Sequence, residues 1–262
     1  MGSLTFKSKY GIITTRNKGS LSYINGGLYM KKKIIYNVLI CFCLCGFICS
    51  SLGIYYNYKE DKKDAILALE GQVEKENIND YEKEIKKLQE EYNNEDIMGI
   101  INIPGTNLNQ AFVKTTDNKY YLKHTLSKEE SKIGAIFMDY RNNLDDRQVN
   151  IYGHNYNKTY VPFKELLKFQ DKEFAKNNNT VYITTKDGVR EYKIVIVKKS
   201  KSTEHMNMNF NDIKTWNNHI KILREDALYD TKESLTWNDN ILVLQTCILT
   251  RGNYLTLVAK RV

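Results

Sequence analysis

From Ile34 to Tyr56 the chain runs for about 23 residues without a formal charge, rich in Ile, Leu, Phe and Cys. A helix of that length spans the hydrocarbon core of a bilayer. No water is available there to satisfy a free backbone group, so the stretch is confined to helix. A cleaved signal peptide has a shorter apolar core, roughly 7–15 residues, closed by a small-residue cleavage site. This stretch is longer and runs into Ile54-Tyr-Tyr-Asn-Tyr58, so the expectation is an uncleaved anchor. Lys31, Lys32 and Lys33 precede it, whereas Lys59, Lys62 and Lys63 behind it are mixed with Glu60, Asp61 and Asp64. The positive-inside rule then leaves the N-terminus in the cytoplasm and the long C-terminal part outside. The expected division is a cytoplasmic segment 1–33, an anchor 34–56, a helical stalk or pair of N-terminal helices 57–95, and a folded domain 96–262. Met30, followed by three lysines, reads as a second start, and residues 1–29 are given no function.

Four of the five cysteines, Cys41, Cys43, Cys45 and Cys49, lie inside the anchor. Their spacing scatters them around a helix, and they read as small apolar residues rather than metal ligands. The fifth, Cys247, leaves the external part with one thiol and no internal disulfide, so packing must hold it together. The formal charge is +8, but the lysines are spread along the chain and interleaved with Asp and Glu. That reads as a solvated basic surface suited to an anionic envelope, not as a nucleic-acid stripe.

Between Lys59 and Asn93, Ile66, Leu69 and Val73, then Tyr81, Ile85, Leu88 and Tyr92, fall at helical spacings in a charged, proline-free background, predicting amphipathic helices. From Ile97 the pattern changes to short apolar runs separated by turns. The expected strands are 97–103, 111–113, 134–138, 149–152, 180–185, 191–197, 240–246 and 254–258, with Lys186-Asp-Gly188 as a hairpin turn and helices near 163–169 and 211–224. About eight strands imply a mainly β domain, a barrel with helical decorations.

Cys247 closes the run Ile241-Leu-Val-Leu-Gln-Thr-Cys247, and Tyr152-Gly-His154-Asn155 ends another strand pattern. A lone thiol and a histidine at strand ends suit nucleophilic chemistry. Strand alternation puts Tyr152 and His154 on one face. His124, His205 and His219 lack comparable context and read as surface or packing residues, with His124 near the groove. Asp139, Asp145, Asp146, Glu129 and Glu130 lack the spacing of a calcium loop and read as ordinary turn and surface carboxylates. No metal or other cofactor is expected.

Asp96-Ile-Met-Gly-Ile-Ile-Asn-Ile-Pro-Gly-Thr106, Asp117-Asn-Lys-Tyr-Tyr-Leu122, Gly134-Ala-Ile-Phe-Met-Asp-Tyr-Arg-Asn142, Ile151-Tyr-Gly-His-Asn155 and Leu244-Gln-Thr-Cys247 occur in this order behind the anchor. Together they resemble the sortases, specifically class B. The resemblance runs from about Ile97 to the C-terminus and implies an eight-stranded β-barrel cysteine transpeptidase on the outer face of a Gram-positive membrane. It implies that Cys247 attacks the carbonyl of a threonine in a C-terminal sorting motif, that His154 protonates the departing amine, and that a peptidoglycan-precursor amine resolves the thioester. The implied partners are cell-wall proteins bearing that signal, the acceptor amine and the membrane. Asn118, Leu122 and Tyr152 match groove positions of class B, Thr246 supports the nucleophile, and Gln245 stands where a small hydroxyl residue is usual.

The sequence departs from the family at the arginine expected where the last strand begins. Leu257-Val-Ala-Lys260 matches the family ending, but Tyr254 occupies the arginine position and the nearest arginine is Arg251. The oxyanion role passes to Arg251, across a shortened loop, or to Tyr254. The alternative reading is a sortase-like peptide-binding protein with impaired turnover.

Overall fold

The computed structural model describes residues 18–73, 80–156, 159–201, 210–248 and 253–262. Internal contacts divide the chain between Lys59 and Glu60. Helix α1 (Lys18–Leu67) carries the apolar stretch, and its side chains from Ile34 to Tyr56 are exposed in the isolated chain. From Glu60 onward it belongs to the second unit.

That unit is built on strands β1 (Ile97–Asn102), β2 (Asn109–Val113), β3 (Phe137–Met138), β4 (Gln148–Gly153), β5 (Thr180–Thr185), β6 (Gly188–Ser200), β7 (Ala227–Asp230), β8 (Ile241–Ile248) and β9 (Asn253–Arg261). They are ordered β5-β1-β2-β3-β4-β8-β9-β6-β7, and β5 also pairs with β6. The extra pairing closes eight strands into a barrel and leaves β7 as an added edge on β6. The mainly β barrel read from the sequence is therefore the fold, with two changes. β7 is an unexpected ninth strand, and the expected strand 134–138 shrinks to two residues because Gly134 turns the chain at φ +59.

The strands read as continuous apolar runs because both faces are covered. Ile101, Phe112, Ile151, Leu244 and Leu257 point into the barrel. Their neighbours Ile100 and Ala111 point outward, under Ile85 and Leu88 of α2 (Tyr81–Glu91). On the opposite side Val243 and Val258 lie under Trp216, Ile220 and Leu223 of α4 (Ile213–Arg224). The helix expected at 163–169 is a 3-10 segment, Pro162–Gln170, followed by the short α3 (Lys172–Asn177). Between these two apolar covers the outer face of β4 and β8 is polar, carrying Gln148, Asn150, Tyr152, Gln245 and Cys247.

Candidate active site

β4 and β8 run parallel, with Tyr152 opposite Gln245 and Gly153 opposite Thr246. Parallel partners project to the same face. The next residues along the two strands are His154, just past the end of β4, and Cys247 in β8. Two hydrogen bonds clasp the strand ends: Thr246 Oγ1 donates to the Gly153 carbonyl and Asn155 Nδ2 to the Cys247 carbonyl, each at 2.9 Å. On the other side of Cys247, antiparallel β9 places Tyr254 opposite it. The Cys247 thiol is exposed in part, and partial burial pushes its pKa above the ordinary thiol value.

His154 is held from one side only. Its Nε2 lies 2.8 Å from the Leu122 carbonyl. A carbonyl accepts and cannot donate, so Nε2 carries a proton and Nδ1 is the nitrogen left for exchange, with no hydrogen-bond partner among the described residues. Gly134 makes room for this ring. A Cβ on Gly134 would lie 2.4 Å from the Tyr121 carbonyl and 3.0 Å from His154 Cδ2, and Gly134 also needs its positive φ. A Cβ on Gly153 would lie 2.5 Å from Phe163 Cγ.

A groove of about 750 Å³ opens at His154, lined by Leu122, Lys123, Glu130, Ser131 and Lys132 and by Glu60, Lys63 and Asp64 from the last turns of α1. Tyr120 and His124, on either side of Leu122 in sequence, stack at 4.0 Å. His219 lies apart from the groove, on the buried face of α4, with Nε2 2.6 Å from Gln148 Oε1. His205 lies outside the described residues.

Asp139, read from the sequence as a turn or surface carboxylate, has no exposed surface. Its Oδ2 accepts from Arg141 Nη2 (2.7 Å), Asn118 Nδ2 (2.9 Å) and the Tyr152 hydroxyl (2.9 Å), and its Oδ1 accepts from the Arg141 backbone and Nε. Burial alone would raise its pKa. The donors, Arg141 foremost, outweigh burial and hold the carboxyl below the usual range. Tyr152 is pushed the other way, first by burial and then by the Asp139 charge. The sequence offered no sign of this hub, because an aspartate after an apolar run also fits a simple turn.

The remaining expected groove residues are placed as follows. Asn118 and Tyr152 are tied to Asp139, and the Asn118 Oδ1 also accepts from the Tyr140 backbone. Leu122 is 38% exposed on the groove wall, Thr246 is buried behind Cys247, and Gln245 is 5% exposed with no partner for Nε2 among the described residues. Arg251 lies outside the described residues. Glu129 pairs with Lys63, Asp145 with Arg190, and Asp146 accepts from Asn142 and Asn143.

Residues 101–261 match the family model described as Sortase domain. The chain is 28% identical over 175 residues to sortase B of Listeria monocytogenes, an alignment covering 65% of this chain and 68% of that protein. The solved structure of Clostridium perfringens sortase B superposes with a TM-score of 0.61 at 28% identity, covering 68% of this chain and 99% of that one. A Bacillus anthracis protein described as similar to sortase B gives 0.61 at 28% identity, covering 79% and 96%.

Proposed function

The chain belongs to the sortase family, class B, whose members are transpeptidases, and from that premise we propose a membrane-anchored enzyme that cuts a C-terminal sorting motif after threonine and passes the protein to a peptidoglycan-type amine. The observation that supports this reading is the clasped parallel pair β4 and β8: Cys247 lies in β8, His154 follows β4, and an open groove begins at the imidazole.

In the first step the Cys247 sulfur attacks the threonine carbonyl carbon as thiolate, and the carbonyl oxygen takes the negative charge. Collapse of that adduct breaks the C–N bond. The departing nitrogen receives its proton from His154, whose Nδ1 is the available position while Nε2–H stays on the Leu122 carbonyl. The incoming amine then attacks the thioester carbonyl, gives its proton to the same nitrogen, and releases Cys247. The oxyanion needs a donor beside Cys247. Tyr254 is the cross-strand neighbour of Cys247 on β9, and Arg251 follows four positions after Cys247 in sequence; we assign the role to Arg251, with Tyr254 as the second candidate. We assign Asn118, Leu122, Tyr152, Gln245 and Thr246 to binding the sorting peptide; of these Leu122 lines the open groove. The apolar stretch 34–56 supports a single-pass anchor, with the lysines before it in the cytoplasm and the catalytic domain outside.

The test is transpeptidation by the full chain in detergent, using sorting pentapeptides with and without a peptidoglycan-like amine. An amine-linked product and a thioacyl adduct at Cys247, both absent in Cys247→Ala, support the reading. Tight peptide binding with neither product would replace it by a peptide-binding protein with impaired turnover.

A further inference from the structure

The last turns of α1 and the residues after them are bound into the barrel unit at successive points. Ser131 Oγ donates to Asp64 Oδ1 at 2.9 Å, and both residues are buried. Leu67 and Ala68 pack with Ile133 and Val161. The Ser127 amide donates to Glu70 Oε2 at 3.0 Å, the Ala111 amide to the Gly71 carbonyl at 2.8 Å, and the Val73 amide to the Asn109 carbonyl at 3.0 Å. Lys63–Glu129 and Lys132–Glu60 add exposed pairs of small worth.

Many of these contacts converge on one segment, residues 123–133. That segment runs between the two points that touch His154: the Leu122 carbonyl, which takes Nε2–H, and Gly134, which packs on Cδ2. Leu67, Ala68, Gly134 and His154 line one small cavity. A buried carboxylate is costly unless hydrogen-bonded, and an apolar residue would pack as well at Asp64. The Asp64–Ser131 pair instead fixes one register of helix against loop.

We propose that Asp64 and Ser131 are positioning residues for His154: the helix end that follows the apolar stretch clamps residues 122–134 and so sets the imidazole against Cys247. The inference rests on His154 as the proton-transfer group, and it makes the segment after the anchor a working part of the site rather than a tether.

The experiment uses the full chain in detergent with Ser131→Ala, Ser131→Thr, Asp64→Ala and the double variant Asp64→Ala/Ser131→Ala. Exchange of each histidine's C2 hydrogen is followed by mass spectrometry against pH, alongside kcat and KM for amine-dependent transfer. The expected result is a loss of about tenfold in kcat for either alanine variant, with KM within about twofold, and the double variant no worse than the single ones. The rate of His154 exchange changes while that of His219 does not, and Ser131→Thr restores both readouts. A lowered melting temperature with kcat and His154 exchange unchanged would overturn the proposal, reducing the contact to packing. If wild type makes no amine-linked product while His154 exchange still answers to Ser131→Ala, the transpeptidase reading fails and the clamp stands.

Discussion

Cys247 and Asp139 sit on the same outer face of the barrel with their acidities displaced in opposite directions. Burial raises the Cys247 thiol, so at neutral pH the nucleophilic thiolate is a minority form. Alkylation by iodoacetamide should therefore keep rising from pH 7 to pH 9, instead of levelling off near neutrality as a strongly activated thiol would. Mass-spectrometric labelling rates check this. Asp139 is held below the usual carboxyl range in the folded state, so it binds its proton less readily there than in the unfolded chain. Its contribution to stability is present above about pH 4, the unfolded carboxyl value, and is lost as pH falls through the lower folded value. Thermal melts from pH 6 down to pH 2 should fall less steeply for Asp139→Asn than for wild type, and equal slopes would remove Asp139 from the acid transition. These residues also mark what one sequence reveals. A single external thiol after an apolar run is legible because the residue type is rare and its chemistry narrow. Asp139 was not, because its five hydrogen bonds come from residues 118, 141 and 152, which only the folded sheet brings together.

Elements were legible where periodicity was long and closed by turn residues. β8 and β9 carry apolar runs covered on both faces, β4 alternates apolar and polar residues, and α4 is N-capped by Asp212 with a capping box to Thr215. The missed elements are short. β7 has four half-buried residues and owes its existence to the free edge of β6, while α3 has six residues behind a 3-10 segment. The strand expected at 134–138 failed for a local reason, since Gly134 adopts the left-handed region and sends the chain beneath His154. Any side chain there meets the Tyr121 carbonyl and strains φ. Gly134→Ala should cost about 1–3 kcal/mol in chemical denaturation and lower transfer activity through the displaced imidazole. Unchanged activity in a destabilised but folded variant would detach Gly134 from the site and leave it a turn residue.

For the whole molecule, the division of contacts between Lys59 and Glu60 does not coincide with the end of the helix that carries the apolar stretch. α1 continues to Leu67, and the residues beyond Glu60 are buried in the barrel unit: Asp64 beneath Ser131, Leu67 and Ala68 against Ile133. The two candidate cuts therefore differ in kind. A fragment 60–262 loses the exposed apolar helix but keeps every buried residue after it, so it should appear in the soluble fraction while the full chain stays in the carbonate-washed membrane pellet. A fragment 80–262 also loses the Leu67 side chain and the main-chain bonds to Asn109 and Ala111. Burial of one leucine is worth about 1.5–3 kcal/mol, and for a domain of this size each kcal/mol moves the melting temperature by roughly 2–4 °C. The shorter fragment should thus melt about 3–12 °C below 60–262 by circular dichroism. Equal melting temperatures would mean that the helix end rests on the barrel without stabilising it. A lower one would locate the functional domain boundary inside α1, within the polar segment 57–95 expected from the sequence as a helical stalk or N-terminal helices.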